Sequence, residues 1–455
     1  MIYTLPVRDP EIGYRDTWLW LPKSKISVDV IKRSLVIPVM LRDEMTYLYL
    51  WKDSPNHLGV PREKIDPSDL PYPVIDLTPK SYKRVPFKSR ITLDYIRPDK
   101  EDQKNAYRDL SASRSGILNL SCGKGKTVIS LHHIAERQVP ALVINDKVHI
   151  LKQWMKEAKQ FLEIPGEIGW IQGPPDKWTW DRPLVFASLT TLAKYVEFIP
   201  PAMACHFGGV YWDEIHHLSA DSFSLTADAF FGDRFGMTAT WERDDGSEMV
   251  YLWHVGKIVH SNLTQDVIPD VTFIRSPTIL NMSDPEAFQA VTDKRGEIHI
   301  RKLSAYVGQL PEEVEFAKSV IDEGVKRGKD MLCVTLSKDH ARLLHQHYYG
   351  SGILDADVKA EERLSTIQNK RLTFATVDMA KEALNKRSLD TLIILTEFSS
   401  KNMLQQAMGR IQRFLDDKGK TRVIVIYHHK IGPMKAMGRK LMSHFRKWGI
   451  KVRVK

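Results

Sequence analysis

Five residues, Gly123-Lys124-Gly125-Lys126-Thr127, combine two backbone-permissive positions with two ammonium groups and a hydroxyl. They follow the apolar run GILNL at 116 and precede the helix-forming stretch VISLHHIAERQ. A strand, a glycine turn and a helix N-terminus aim backbone N–H groups and a positive dipole at one point, where phosphates can sit. Gly123 and Gly125 permit close backbone approach, and Lys124 completes the cradle. Lys126 would neutralise the β- and γ-phosphates of ATP, and the Thr127 hydroxyl would ligate Mg²⁺. Leu120 occupies the place where the full G-x-x-x-x-G-K-[ST] pattern has its first glycine.

About ninety residues later, GGVYWDEIHH ends an apolar run in two adjacent carboxylates. Ligands gather at strand C-termini in open α/β sheets. Asp213 could hold the Mg²⁺, largely through its waters, and Glu214 could orient and deprotonate an attacking water. The same pair could instead cap a helix. His216 and His217 lack partner ligands at zinc spacing. A third cluster, QAMGRIQR from Gln406 to Arg413, puts Gln406, Gly409, Arg410 and Arg413 on one helix face. It would present two guanidinium groups to one polyanion, as arginine fingers do for a transferring phosphoryl group, or form a solvated basic helix.

These groups need rigid supports. Short apolar runs recur between 116 and 240 (GILNL, ALVIN, LVFAS, GGVYWD, FGMTAT), and again from 331 to 427 (MLCVT, LTFAT, TLIILT, RVIVIY). Helical stretches separate them, which predicts buried parallel strands with crossover helices in two tandem α/β domains. Residues 245–310 are less regular and read as a linker or decoration. In residues 1–90, aromatic-rich strands around Trp18 and Tyr47 are followed by repeated prolines, as in a small α+β accessory domain. The expected domains are 1–90, 91–262 and 311–455, with 263–310 between the last two.

The chain has 455 residues and a net charge of +10. From Lys418 to Lys455 there are 12 basic residues and no acid, so residues 1–417 carry −2. Lys80 to Arg90 is a second acid-free run, and the section 101–417 carries −6. Basic ends flank an acidic middle, which fits polyanion contacts or solvated surface charge. Three scattered cysteines form no disulfide or zinc pattern. No apolar run approaches the roughly 18 residues of a membrane span, so a cytoplasmic, reducing location and no membrane partner are expected.

Taken in order, these residues resemble superfamily 2 helicases and translocases over roughly 91–430. SCGKGKT resembles motif I, DEIH motif II, TAT at 238 motif III and QQAMGRIQR motif VI. The resemblance implies two tandem RecA-like parallel-sheet domains with a small N-terminal α+β accessory domain, and cofactors ATP and Mg²⁺. It implies that Gln103 reads adenine, that Thr190 and Thr191 contact the strand's phosphates, and that His216, Thr238 and Thr240 couple ATP state to nucleic-acid binding. Lys126, Asp213, Glu214, Gln406, Arg410 and Arg413 become the catalytic set. In the motif V segment ATVDMAKEALN, Ala383 stands for the family's glycine and Asn385 for its aspartate.

With a compact core, the HLGVPRE segment at 57–63 in a small N-terminal domain and a basic tail directly after the second core domain, the chain also resembles bacteriophage UvsW-type branch-migration helicases. That implies an ATP-dependent DNA helicase acting on forked or branched DNA in phage replication, recombination or repair. The expected partner is single-stranded, forked or branched DNA, and the expected state a monomer. Lys83, Arg84 and Lys88 are then candidates for holding duplex or branch DNA, and the charge of 418–455 reads as a DNA-facing surface. Removal of residues 1–85 is expected to spare the ATPase. A duplex DNA translocase without strand separation, an RNA helicase, and a binding module with a degenerate ATP site are the alternatives.

Overall fold

The structure, a computed structural model, describes residues 9–455 except 42–43, 122, 217–223, 240, 243–245, 264–267, 329, 356, 359–361, 363–364, 367–368, 384–387, 399–403 and 405–420. The chain divides into two compact units, Met1–Leu263 and Thr264–Lys455.

The first unit is built on a seven-stranded sheet in which every pairing is parallel. In sheet order its strands are Ile168–Ile171, Leu184–Ser188, Ala141–Asn145, Gly209–Asp213, Asp233–Thr238, Ser115–Leu120 and Ile258–Asn262. The runs at 141 and 184 are buried at every residue. Such continuous burial is what a strand covered by helices on both faces requires. The helix Val148–Phe161 supplies part of that cover, turning Leu151, Trp154 and Ala158 inward as one stripe.

Residues before 80 form a five-stranded mixed sheet and a separate hairpin, Val36–Leu41 with Glu44–Tyr49. Leu19, Leu21, Ile37, Val39 and Val60 share a core with Val250 of the helix Glu248–Val255. A buried charged seam joins the same two parts. The Arg62 guanidinium, 1% exposed, donates to Glu63 Oε1 (2.9 Å), to the Phe231 carbonyl (3.0 Å) and to the Gly232 carbonyl (2.9 Å). Glu63 also accepts from Arg15 (2.9 Å) and from the Ser115 hydroxyl (2.7 Å). Arg234 donates to the carbonyls of His254 (2.7 Å) and Thr17 (3.0 Å).

The basic run is part of this fabric. Val85 and Phe87 are buried in the core of the parallel-sheet layer with Leu118, Ile129 and Leu131. Lys88–Ser89 pairs antiparallel with Leu162–Glu163. A cut at residue 85 therefore removes Val85 from this core and leaves Phe87 at the new chain end.

The second unit repeats the architecture with seven parallel strands. Their order is Gly352–Leu354, Leu372–Thr376, Met331–Thr335, Thr391–Ile394, Arg422–Tyr427, Asp270–Arg275 and Val452–Val454. Asp270–Arg275 lies in the stretch read as a linker, yet it is the sixth strand, with Val271 and Phe273 fully buried. Pro269 and Pro277 bracket it without interrupting its hydrogen bonds. The final basic segment is likewise integral: helix Gly432–Lys447 buries Met434, Met437, Leu441, Met442 and Phe445.

At the C-terminal ends of these strands, three ionisable groups are fully buried together. His428 Nδ1 lies 2.8 Å from Glu397 Oε2 and its Nε2 3.1 Å from Glu313 Oε1. Ser276 and Thr278 donate to Glu313 Oε2 at 2.6 and 2.7 Å. Burial alone would lower the imidazole pKa, but Glu397 and Glu313 outweigh it and lift it to about 10.

Candidate functional site

The strand Ser115–Leu120 and the helix Lys126–Arg137 are joined by a loop with Gly123 at φ +88° and Gly125 at φ +84°. Both values lie in the left-handed region, where a Cβ is disfavoured. Gly125 is also confined, since a Cβ there would stand 2.3 Å from Gln103 Nε2. Gln103 is clamped from the other side. Its Oε1 accepts from the Asp94 N–H (2.8 Å), its own N–H donates to Asp94 Oδ1 (2.9 Å), and its Nε2 donates to the Lys124 carbonyl (3.4 Å). The glutamine proposed to read adenine thus touches the loop proposed to hold phosphates.

The two lysines of the loop behave differently. Lys124 is turned inward, its side chain 6% exposed and its Nζ 3.0 Å from Asp102 Oδ2, so it braces the loop from within. Lys126 begins the helix, where its Nζ donates to the Leu120 carbonyl at 3.0 Å. Thr127 follows in the first helical turn.

Asp213 ends the central strand Gly209–Asp213. Its Oδ2 accepts from Trp154 Nε1 (2.9 Å) and Asn145 Nδ2 (3.2 Å), and its Oδ1 accepts from the Glu214 N–H (3.1 Å). Burial, then the neighbouring Glu214 charge, push its pKa up to about 6, while Lys126 pulls it down. The Lys126 ammonium is the positive charge that acts on the Asp213 carboxylate. The Thr127 hydroxyl and the Asp213 carboxylate are hard oxygen donors of the kind that would hold Mg²⁺. Glu214 adopts φ +53°, a strained turn that ends the strand abruptly.

His216 Nδ1 lies 3.5 Å from Glu214 Oε2 and 3.3 Å from the hydroxyl of Thr238. Thr238 is fully buried at the end of the neighbouring strand Asp233–Thr238. An acid, a histidine and a threonine from two adjacent strand ends are therefore linked. A shift at Glu214 has a short path to the segment beyond Thr238.

Of the other expected residues, the described ones lie elsewhere along the chain. Thr190 is exposed after the strand Leu184–Ser188, 2.8 Å from the Ser188 hydroxyl, whereas Thr191 is buried. Lys83, Arg84 and Lys88 are exposed. Arg84 donates to Gln138 Oε1 (3.1 and 3.0 Å), and Lys88 pairs with Glu163 (3.4 Å). Gln138 caps the C-terminus of the helix that Lys126 begins, about 18 Å along its axis from Lys126. Trp178 is buried and donates to the Gly173 carbonyl at 3.1 Å, a loop anchor. Gln406, Arg410, Arg413, Thr240 and Asn385 lie outside the described residues, as do the contacts of Ala383. Among the described residues, no helix is long and apolar enough to cross a membrane.

No individual role for Trp154, Asn145 or Asp102 was read from the sequence. Asn145, at the end of the ALVIN run, carried a signal: a polar side chain at a strand C-terminus next to the strand of Asp213.

Two tandem parallel sheets, with a glycine loop and paired carboxylates at the strand ends of the first, are similar in architecture to the superfamily 2 helicase and translocase fold. Residues 97–243, about a third of the chain, match the family described as Type III restriction enzyme, res subunit. Over 410 residues the chain is 22% identical to a putative ATP-dependent RNA helicase of Acanthamoeba polyphaga mimivirus, covering 86% of this chain and 74% of the relative. It is 29% identical over 167 residues to the DNA 3'-5' translocase XPB2 of Sulfurisphaera tokodaii, covering 36% of each. Among solved structures, S. cerevisiae Dbp5 bound to RNA and ADP BeF3 superposes with a TM-score of 0.56 at 13% identity, over 80% of this chain and 90% of that one.

Proposed function

We propose that this chain is an ATP-driven motor that translocates along duplex DNA. The observation that carries the reading is the continuous link from the Lys126 and Asp213-Glu214 cluster through His216 to Thr238, the connection a motor needs between hydrolysis and grip. The preference for duplex DNA rests on likeness to a restriction subunit and to a DNA translocase. Bound Mg²⁺·ATP supplies the transferable phosphoryl group and a metal ion that neutralises charge developing on it. Lys126 would bind the β- and γ-phosphates, Thr127 and Asp213 would hold the metal, and Gln103 would orient the base. Glu214 accepts the proton of the attacking water as its oxygen bonds to the γ-phosphorus and the bond to ADP breaks. Arg410 and Arg413 are proposed to stabilise the same charge, with Gln406 beside them. Thr190 and Thr191 are proposed phosphate contacts on the nucleic acid.

A second reading is a UvsW-type helicase that unwinds or branch-migrates forked DNA. The exposed Lys83, Arg84 and Lys88 favour it, as a surface for a second duplex arm. The RNA-helicase reading draws on the mimivirus relative. ATPase assays with blunt duplex, fork, Holliday junction, R-loop, single strands and RNA separate the three. Stimulation by blunt duplex without strand displacement supports the proposal. Stimulation by RNA alone, or unwinding confined to branched DNA, overturns it.

A further inference from the structure

We infer that the exposed face of the helix Gly432–Lys447 is a binding site for the phosphate backbone of a nucleic-acid duplex. The inference rests on the motor reading, and it adds a contact surface that the ATP site does not require.

The inner face of this helix is fully engaged, with Met434, Met437, Leu441, Met442 and Phe445 buried. At 3.6 residues per turn, Lys435, Arg439, Lys440, Arg446 and Lys447 fall in a stripe of roughly 140° on the opposite side. Arg439, Lys440, Arg446 and Lys447 are exposed and Lys435 is half-buried. No acid occurs anywhere from Lys418 to Lys455. Among the described residues these five cations have no carboxylate partner, whereas the nearby Arg453 pairs with Asp270. A helix face that merely meets water ordinarily interleaves acids at i+4, and like charges at that spacing, as at Lys435 and Arg439, destabilise it. Lys435 also opposes the helix dipole in the first turn. Five uncompensated cations on one stripe are the footprint of a polyanion.

The shape favours a phosphate backbone over other polyanions. An amphipathic helix binds an anionic bilayer by burying its apolar side, but that side is already packed on the sheet. The exposed stripe carries only Ala436 and Ser443 between its cations, with no aromatic anchor of the kind that centres a protein interface. Arg439, Met442, Ser443, Arg446 and Lys447 line a shallow hollow of 540 Å³. From Lys435 to Lys447 the stripe is about 18 Å long. That matches about five base-pair steps at 3.4 Å, with phosphates repeating along it.

Its place in the fold makes it a separate hold. The helix starts beyond the C-terminal end of Arg422–Tyr427 and runs back to the start of Val452–Val454, which pairs parallel with Asp270–Arg275. Arg446 and Lys447 thus stand by the N-terminal edge of the sheet, at the far side from Glu397 and His428.

The test compares the full chain with the variant R439Q/K440Q/R446Q/K447Q for binding to a short blunt duplex at several salt concentrations. Four phosphate contacts contribute a slope of about −3.6 in log K against log[salt]. The wild type should therefore lose about 150-fold more affinity than the variant between about 50 and 200 mM salt. Because the four side chains are exposed, the melting temperature should not change. Should the quadruple variant melt early, Arg439→Gln and Arg446→Gln singly should each reduce the slope by about 0.9. An unchanged slope and affinity overturn the site. So does binding to anionic phosphatidylserine vesicles that needs the same four residues while duplex binding does not. Duplex-stimulated ATPase of the wild type reads the motor proposal separately: its absence beside a reduced slope removes the motor and leaves the duplex-binding face, and its presence beside an unchanged slope does the reverse.

Discussion

Arg62 offers a sharp test of how the N-terminal sheet is joined to the first parallel-sheet layer. Replacement by methionine keeps the length of the chain and removes a guanidinium that makes three hydrogen bonds. Two of these reach the carbonyls of Phe231 and Gly232, immediately before the strand that ends in Thr238. Glu63 retains Arg15 and Ser115 as partners, so it is not stranded. Removing one member of a buried charged pair costs about 3 to 5 kcal/mol. The retained partners put Arg62→Met at the low end, about 3 kcal/mol. In a unit of this size each kcal/mol lowers the melting temperature by about 2 to 4 °C. Differential scanning calorimetry should find the first unit melting about 6 to 12 °C earlier, with ATPase lost over the same interval on heating. A melting temperature within about 2 °C of wild type would refute the seam as a structural joint. By the same reasoning, deletion of residues 1–85 should yield an aggregating or ATPase-dead chain. A soluble, fully active deletion product would contradict the burial of Val85 and Arg62.

Gly125→Ala places a Cβ against Gln103 Nε2 at 2.3 Å in a left-handed backbone, so the KM for ATP should rise at least tenfold; an unchanged KM would show that the loop is not the nucleotide cradle. Thr238→Val removes the hydroxyl 3.3 Å from His216, and stimulation of the ATPase by nucleic acid should fall by about tenfold. Full stimulation in that variant would remove the proposed link. His428 has a folded pKa near 10, above its unfolded value, so its stabilising contribution is complete below about pH 6.5 and is lost as pH rises through about 10. The second unit should therefore melt progressively earlier from neutral to alkaline pH. His428→Gln should melt early at neutral pH and show a flatter profile, and parallel profiles for the two proteins would contradict the charge assignment.

The glycine loop at 123–127, the Asp213-Glu214 pair at a strand end and most inner strands of both parallel sheets were legible because each is a local pattern. A glycine turn between an apolar run and a helix needs no knowledge of the rest of the chain, and fully buried strands announce themselves as unbroken apolar runs. The partners of those groups were not legible. Trp154 and Asn145 reach Asp213 from elsewhere in the sequence, and nothing near Lys124 says that it will turn inward to Asp102. Asp270–Arg275 alternates apolar and polar residues between prolines, a weak local signal that wins its place through pairing on both sides. The charge totals were right in number but incomplete in meaning. The run at 80–90 hides Val85 and Phe87 among its lysines, and the basic C-terminus is a packed helix with one charged face.

Hydrolysis at the Lys126, Asp213 and Glu214 cluster is proposed to drive movement on duplex DNA. Its most direct test is steady-state ATPase of wild type and Glu214→Gln, with and without blunt duplex, beside nucleotide binding. Duplex-stimulated turnover is expected in the wild type. In the variant, turnover should fall by about 10² to 10⁴ while nucleotide binding is kept. Wild-type turnover in Glu214→Gln, or a wild-type ATPase indifferent to duplex, would contradict it.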